Sequence, residues 1–359
     1  MRDALFRLLR CPVCRGKLEV TSFSESRGGE EVVDGVLGCS CQASYPIVHT
    51  IPRMLPNAYA LFPEFCRRYA DLLRSFPHEG MVRRHGEEFD GLQARTRESF
   101  GYQWTSFSDM VCDFRENFLN YLSPATPEFF RGRLGLDAGC GFGRHLYQAA
   151  SCGAEMVGVD FSRAIESAHK NAKHFPNVHL VQADIYALPF VEGTFDFVYC
   201  IGVLHHLPDP DGGAKALALL VKPNGTLFIW VYSKERRVTI SFLETLRALT
   251  TRLPHPLVNG MSFLGAALDR YCLISPYQIL RRVPGVRTIV ERVAPGRIKM
   301  YGAYPFQVLH ADWFDRLAAP IRFYYDEREV KQLMRSAATS EVSVTPTGLY
   351  GWRACGIKR

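Results

Sequence analysis

Short apolar runs alternate with polar, helix-like stretches across residues 126 to 231, and this alternation limits the fold more than any other feature. Short runs that are apolar throughout are typical of strands covered by helices on both faces. Strands that alternate with helices predict a parallel α/β sheet. The predicted strands are Leu134–Asp137, Glu155–Asp160, Val178–Asp184, Phe195–Cys200 and Thr226–Tyr232.

The carboxyl-terminal stretch completes this sheet. Its pattern predicts a helix from Asp326 to Ala337 and then two strands, Glu341–Thr345 and Trp352–Ile357. The sequence therefore predicts seven strands in all.

A glycine-rich turn, D-A-G-C-G-F-G-R at residues 137–144, follows the first predicted strand. Glycines there let the backbone turn tightly and let a ligand approach the peptide plane, while the next helix offers free N–H groups. The spacing G-x-G-x-G departs from the dinucleotide fingerprint G-x-G-x-x-G, whose last position is occupied by Arg144. A plain strand-to-helix turn is the alternative interpretation.

Two further carboxylates end neighbouring predicted strands. Asp160 ends the second strand, where an acid can accept hydrogen bonds from both hydroxyls of a ribose. Asp184 ends the third, where it could accept a bond from an adenine amino group. Each acid alone could be only a helix cap. Because open α/β sheets bind ligands at the carboxyl ends of their strands, the three loops together predict a pocket for an adenosine without a phosphate.

At these residues the chain resembles the class I S-adenosylmethionine-dependent methyltransferases. The resemblance is carried, in the family's order, by L-D-A-G-C-G-F-G-R, V-D-F-S, A-D-I-Y-A-L-P-F and F-D-F-V-Y-C-I-G-V-L-H-H-L-P-D, within residues 130 to 231. It implies a Rossmann-like seven-stranded methyltransferase sheet, six strands parallel and one antiparallel, flanked by helices. It also implies S-adenosylmethionine as the cofactor.

The resemblance assigns roles to the loops. The glycines line the methionine and ribose, Asp160 holds the ribose, Asp184 reads the adenine edge, and carbonyls near Cys200–Gly202 receive the methionine ammonium. Upstream, Trp104 could cap the sulfonium with its aromatic face, although packing of the amino-terminal helices explains it equally well. The predicted cofactor-binding residues are Asp137, Gly139, Cys140, Gly141, Gly143, Asp160, Phe161, Asp184, Ile185, Cys200, Gly202 and Trp104.

Two histidines, His205 and His206, follow the fourth predicted strand. A histidine there could take a proton from a hydroxyl or amine acceptor, and both are predicted catalytic residues. Packing or capping of the following turn is the alternative. The loop lacks the N/D-P-P-Y/F motif of enzymes that methylate exocyclic amines of nucleobases, which counts against that class.

Two close cysteine pairs lie near the amino terminus, Cys11 with Cys14 and Cys39 with Cys41. Four thiolates from two turns are the ligand set of a structural zinc site. The second pair is the tighter C-x-C, so His49 is a candidate replacement ligand. The segment resembles the zinc ribbons found beside several methyltransferases. We expect a structural zinc, with a ribbon core separate from that of the sheet.

A long basic segment separates the fifth predicted strand from the last helix. Between Tyr232 and Lys299, twelve Lys/Arg against four Asp/Glu give +8, more than the +7 of the whole chain. Its two amphipathic stretches predict a helical lid over the acceptor, meaning the group that receives the methyl, or contact with a membrane surface. A helical cap whose apolar stripes face its own core is the alternative interpretation. Within Tyr301–Asp315, the polar residues His310, Asp312 and Asp315 are candidate acceptor contacts.

These features divide the chain into five predicted regions: a zinc ribbon (1–56), connecting helices with a cofactor-capping segment (57–125), the cofactor-binding core (126–231), the basic insert (232–325) and the completing helix and strands (326–359). Met1 to Arg10 carries no signal-peptide pattern and no apolar run is long enough to span a membrane, so we expect a cytoplasmic protein.

The predicted function is methyl transfer to an O, N or C atom of a small-molecule, glycan-linked or lipid-like acceptor. Two alternatives stay open at this point. One is an rRNA or tRNA methyltransferase that docks RNA through its zinc ribbon. The other is a cofactor-binding scaffold without turnover.

Overall fold

The computed structural model describes residues 1–76, 87–348 and 350–359, so part of the predicted connecting region lies outside the described residues. The strands of this part of the chain are β1 (Leu18–Glu25), β2 (Val32–Cys39), β3 (Ser44–Val48), β4 (Ile51–Met54), β5 (Leu134–Ala138), β6 (Glu155–Asp160), β7 (Val178–Ala183), β8 (Phe195–Ile201), β9 (Val221–Tyr232), β10 (Thr339–Pro346) and β11 (Gly351–Lys358). They form one sheet in the order β1-β2-β3-β4-β7-β6-β5-β8-β9-β11-β10.

The centre of the sheet consists of the five strands that the apolar runs predict. β5 to β9 pair in parallel, in the order β7-β6-β5-β8-β9. The chain leaves β5 toward β6 on one side and later returns to β8 on the other. The strand order therefore reverses between β5 and β8, and the crevice beyond their carboxyl ends is where such sheets bind ligands.

The prediction of seven strands is wrong, because four amino-terminal strands extend the sheet to eleven. β4 pairs in parallel with β7, through Arg53 opposite Gln182 and Met54 opposite Ala183. β1 to β4 pair antiparallel with one another, so the predicted split of six parallel and one antiparallel strand does not describe the whole sheet. At the other edge, β11 runs antiparallel to both β9 and β10.

A buried arginine fastens the amino-terminal strands to the central ones. Arg53 is fully buried, and its guanidinium lies 2.6 Å from a Glu166 carboxylate oxygen and 3.2 Å from Gln182 Oε1. Apolar side chains of the ribbon, such as Leu37 and Ile47, pack in the same core as the central strands. The expectation of a separate ribbon core is therefore wrong.

Helices cover both faces of the sheet and form the insert. They are α1 (Asp3–Leu8), α2 (Ala58–Leu61), α3 (Pro63–Arg68), α4 (Ala70–Leu73), α5 (Glu87–Ser106), α6 (Arg115–Tyr121), α7 (Pro127–Phe130), α8 (Arg144–Ser151), α9 (Ala164–Ala172), α10 (Pro210–Leu220), α11 (Arg237–Thr250), α12 (His255–Leu268), α13 (Ser275–Leu280), α14 (Arg287–Val293), α15 (Gly296–Gly302), α16 (Phe306–Ala318) and α17 (Glu327–Ser336). None of the described helices is long and apolar enough to cross a membrane.

The insert is built around α16. Val258 of α12 packs with Phe314 and Leu317 of α16 in a small core of their own. On α11, Thr250 Oγ1 donates a 2.7 Å hydrogen bond to the Leu317 carbonyl, and the Arg247 guanidinium donates to the Ala319 carbonyl. α11 and α12 thus each turn one side toward α16 and the opposite side away from it.

Candidate functional site

One cavity of about 390 Å³ lies over the carboxyl ends of the central strands. Its floor, which we call the strand-end half, comes from the loops that follow β5, β6, β7 and β8. Its other wall, the insert half, comes from β9 and the insert, and includes Tyr232, Tyr301, Asp312, Asp315 and Arg316. The basic insert therefore contributes directly to the cavity.

The turn after β5 requires glycine for two reasons. Gly139 has φ +82°, a left-handed backbone conformation that residues other than glycine adopt only at an energetic cost. A Cβ there would also lie 2.4 Å from a Val203 methyl carbon. Gly139 and Gly141 both line the cavity, so the backbone of this turn forms part of its surface.

Asp137, at the end of β5, lies beneath this turn. Its carboxyl is buried, and Oδ2 has no hydrogen-bond partner among the described residues. Burial raises the pKa of Asp137 from 3.8 to about 8. A cation placed beside this carboxyl would favour its charged form, as the ammonium of an amino acid would.

Asp160, at the end of β6, faces the cavity. Its Oδ2 accepts a 2.9 Å bond from the Gly141 N–H, and Oδ1 accepts from the backbone N–H and the hydroxyl of Ser162, at 2.8 and 2.6 Å. Burial raises the pKa of this carboxyl. These bonds fix the carboxylate against the glycine turn, and a carboxylate has about four acceptor positions, so it can also accept from a ligand hydroxyl.

Asp184, after β7, is the third acid at the strand ends. Its Oδ1 accepts from the Tyr186 N–H at 3.0 Å, and its Oδ2 accepts from Gln93 Nε2 at 2.7 Å. A carboxamide donates here with the same N–H geometry as the exocyclic amine of adenine. The neighbouring Ile185 also lines the cavity.

Helix α5 forms the roof over the strand-end half. Gln93, Arg97, Phe100 and Trp104 all line the cavity, and the Trp104 indole would lie 3.4 Å from a Cβ on Gly141. Of these four residues the sequence predicted only Trp104. Apolar and polar residues recur along α5 without a motif, so no local signal marks the other three.

The predicted site residues divide into two sets. Ten of them line the cavity: Trp104, Gly139, Cys140, Gly141, Asp160, Phe161, Asp184, Ile185, Gly202 and His206. Four lie behind the surface of the cavity, as buried support or in the turn: Asp137, Gly143, Cys200 and His205.

The two adjacent histidines have different surroundings. His206 lines the cavity, and its Nδ1 lies 2.6 Å from the Ile321 carbonyl oxygen, so Nδ1 carries the proton and donates it. Its Nε2 faces Asp315 Oδ1 at 3.8 Å. Burial lowers the pKa of His206 to about 4, so the ring is neutral at pH 7. His205 is fully buried, and its ring nitrogens have no partner among the described residues.

Asp315 connects His206 to the insert half. The Tyr232 hydroxyl and the Arg322 guanidinium donate to its Oδ2, at 2.7 and 2.6 Å. Burial acts to raise the pKa of Asp315, but the positive Arg322 outweighs it and the pKa is lowered, so the carboxylate is charged. The polar wall of the insert half is therefore held in place by a buried ion pair.

Two of the three candidate acceptor residues lie in the insert half. Asp312 lines the cavity, accepts from the Tyr301 hydroxyl and pairs with Arg316, and Asp315 is described above. His310 does not line the cavity: its Nε2 lies 3.2 Å from the Asn259 carbonyl oxygen of α12, and its ring packs against Phe107.

The four amino-terminal cysteines converge. The sulfur atoms of Cys11, Cys14, Cys39 and Cys41 all lie within 4.8 Å of one another, with Cys14 and Cys39 3.4 Å apart. Zinc–sulfur bonds of about 2.3 Å in a tetrahedron imply sulfur separations of about 3.8 Å. The four thiols fit a structural metal site, and among the described residues this cluster does not include His49.

Comparison with known proteins shows which family the central strands resemble. Residues 136–229 match the family described as "Methyltransferase domain". Over 118 residues the chain is 36% identical to the ubiquinone biosynthesis O-methyltransferase of Albidiferax ferrireducens, covering 32% of this chain and 45% of that protein. Over 106 residues it is 37% identical to the tRNA U34 carboxymethyltransferase of Pseudoalteromonas translucida, covering 28% and 33%.

A solved structure, an S-adenosylmethionine-dependent methyltransferase from Aquifex aeolicus, aligns with 71% of this chain and 98% of its own, at 16% identity and a TM-score of 0.40. The chain spans between a third and a half of the length of the two curated relatives, 33% and 45%. The family match includes the strands that bear the glycine turn. It covers residues 136–229, the part of the chain that runs from β5 to β9.

Proposed function

We propose that this protein transfers a methyl group from S-adenosylmethionine to an O, N or C atom of a small-molecule, glycan-linked or lipid-like acceptor. The observation that carries the proposal is one continuous cavity, which joins the acidic and glycine-rich strand ends to a polar wall of the insert. A cofactor on one side and an acceptor on the other would meet inside it.

The strand-end half has the donors and acceptors that S-adenosylmethionine needs. Asp160 would accept from the ribose hydroxyls, and Asp184 would accept from the adenine amine in place of Gln93. The carbonyls near Gly202 would receive the ammonium, and the buried Asp137 carboxyl behind the cavity surface would favour its positive charge. Trp104, over Gly141, would present an aromatic face to the sulfonium. When bound, the cofactor supplies a methyl group already activated as a sulfonium.

The insert half would position the acceptor and take its proton. His206 holds its own proton on Nδ1, so Nε2 has a lone pair directed toward Asp315. A hydroxyl or amine between the two would give its proton to Nε2, and the charged Asp315 would stabilise the imidazolium. Because the pKa of His206 is about 4, it is a weak base, and most of the rate would come from alignment.

A titration calorimetry experiment tests the cofactor assignment. We expect S-adenosylmethionine and S-adenosylhomocysteine to bind and NAD not to bind. Asp160→Asn should weaken both ligands by about 1–2 kcal/mol, from loss of charge-assisted bonds to the ribose. Asp196→Asn is the matched control, since Asp196 pairs with Lys222 and does not line the cavity. Binding of NAD alone, or equal effects of the two variants, would refute the assignment.

We also propose that the four-cysteine cluster holds one structural zinc ion. Four thiolates leave no open position for chemistry, so the metal would stabilise the ribbon. Metal analysis of freshly purified, reduced protein should find about one zinc per chain. A Cys14→Ser, Cys39→Ser variant should lose it, whereas Cys66→Ser, outside the cluster, should keep it. A wild-type protein without zinc would contradict this assignment.

An RNA acceptor is the second candidate, favoured by one observation. The chain is 37% identical over 106 residues to a tRNA U34 carboxymethyltransferase, a protein whose name indicates an RNA substrate. The insert, however, exposes many apolar side chains, whereas surfaces that bind nucleic acid are polar and strongly positive. RNA binding that falls steeply with salt would favour this second candidate.

A further inference from the structure

Exposed apolar side chains are concentrated on one segment of this protein. Of the 22 large hydrophobic side chains that are exposed in the described residues, 15 lie between Val238 and Met300. Single exposed apolar residues are ordinary on a protein surface, but concentration on one region is typical of an interaction surface.

On α11 the exposed residues share one face. Val238, Phe242 and Leu249 are 86%, 61% and 64% exposed, and their spacing of four and seven residues aligns them along the helix. The opposite side, with Leu243 and Thr250, is buried toward α16. The helix therefore packs one side, with Leu243, Arg247 and Thr250, toward α16 and exposes apolar side chains on the other side.

Helix α12 repeats this arrangement. Leu257, Leu264 and Leu268 are exposed and lie at spacings of seven and four, while Val258 and Ala266 are buried on another side. No Asp, Glu, Lys or Arg occurs anywhere in His255–Leu268. A helix that faces only water normally carries charges on its outer side, so α12 has the composition of a helix covered on both sides.

Basic side chains surround these apolar faces. The exposed ones are Arg237, Arg252, Arg281, Arg282, Arg287, Arg292 and Lys299. The acids of α12–α15 are already paired: Asp269 is buried against Arg297, and Glu291 lies between Arg281 and Arg287. The unpaired excess of this region is therefore positive.

We propose that α11–α15 form a docking surface for an anionic phospholipid membrane, a property beyond the proposed methyl transfer. Apolar side chains flanked by Lys and Arg are the composition of helices that lie in the lipid headgroup region. Basic side chains add attraction to anionic headgroups. Met300 is both exposed and part of the cavity lining, so the cavity opens beside this surface.

The charge distribution favours a membrane over a second copy of this chain. A symmetric contact would bring two segments of +8 together, and like charges across an interface oppose association. An anionic lipid membrane would bury the apolar faces in its headgroup region and would attract the positive charge of the segment.

Co-sedimentation with lipid vesicles tests the proposal. We expect the protein to sediment with vesicles of phosphatidylcholine mixed with phosphatidylglycerol, and less with phosphatidylcholine alone or at high salt. Leu264→Ser, Leu268→Ser, Ile289→Ser should lower the association constant about tenfold or more. The matched control is Leu61→Ser, Leu72→Ser, Leu219→Ser, which removes three exposed leucines elsewhere and should have little effect.

A charge variant, Arg282→Glu with Arg292→Glu, should also lower binding to the anionic vesicles about tenfold or more and leave S-adenosylhomocysteine binding unchanged. Unchanged cofactor binding shows that the variants are folded and separates this test from that of the proposed function. No sedimentation of the wild type with anionic vesicles would overturn the proposal. A wild-type dimer that the leucine variant converts to a monomer, or salt-sensitive binding to RNA in preference to the vesicles, would also overturn it.

Discussion

The two halves of the cavity are built in different ways. The strand-end half takes its polar groups from short loops, each following one strand of a rigid parallel sheet, and its acids are held by backbone N–H groups and small side chains. The insert half takes them from elements far apart in the chain, and joins them through ion pairs such as Asp315 with Arg322. The geometry of the strand-end half is therefore fixed by the sheet. The wall of the insert half depends on the sequence of the insert, so a different insert could replace it.

If this contrast is correct, removing the ion pair of the insert half should destabilise the protein but leave ligand binding in the strand-end half nearly unchanged. Asp315→Ala leaves the buried Arg322 without its carboxylate, which should lower the free energy of unfolding by about 3–5 kcal/mol. S-adenosylhomocysteine affinity should change little, because Asp315 contacts no residue of the glycine turn. Urea unfolding and calorimetry measure the two quantities.

Asp312→Ala is the control for this variant, since Asp312 also pairs with an arginine of the same wall, Arg316. The Asp312 side chain is more exposed than that of Asp315, 31% against 11%. We expect a smaller loss of stability from it. Loss of cofactor binding in Asp315→Ala protein that is still folded would show that the two halves are not independent.

In the strand-end half, a substitution at Asp137 should change the free energy of unfolding by a smaller amount, and the change should depend on pH. The pKa of Asp137 is raised to about 8, so the native state keeps a proton that the unfolded state releases above pH 4. The free energy of unfolding should therefore decline through this group as pH rises toward 8. Asp137→Asn removes the decline, so between pH 5 and pH 7 the free energy of unfolding of the variant should rise relative to that of the wild type by about 2–3 kcal/mol.

Unfolding of ligand-free wild type and variant at several pH values checks this. Taking the difference between the two proteins cancels the contributions of the buried histidines, which titrate in both. Parallel pH profiles would show that Asp137 is charged in the native protein at neutral pH.

The difference between the two halves also explains which features could be predicted from the sequence. Apolar runs and terminal acids predicted β5 to β9 and the positions of Asp160 and Asp184, because a strand and the loop after it are contiguous in the chain. Gln93 was missed, since only tertiary packing brings α5 over Asp184. Adjacent residues were also indistinguishable: the sequence predicted His205 and His206 alike, but only His206 lines the cavity.

The amino-terminal strands were missed for a related reason. The cysteine spacing predicted the cluster, and the four sulfur atoms do converge. Nothing in that spacing indicates that β4 pairs with β7. That pairing depends on Arg53, whose burial beside Glu166 and Gln182 is a long-range contact.

A crystal structure with S-adenosylhomocysteine tests the central claim most directly. The account predicts the ribose hydroxyls on Asp160, the adenine amine on Asp184 with Gln93 displaced, and the amino group near Asp137 and Gly202. The sulfur should point toward His206 and the insert half. A ligand bound in the insert half, or an adenine away from Asp184, would contradict the account.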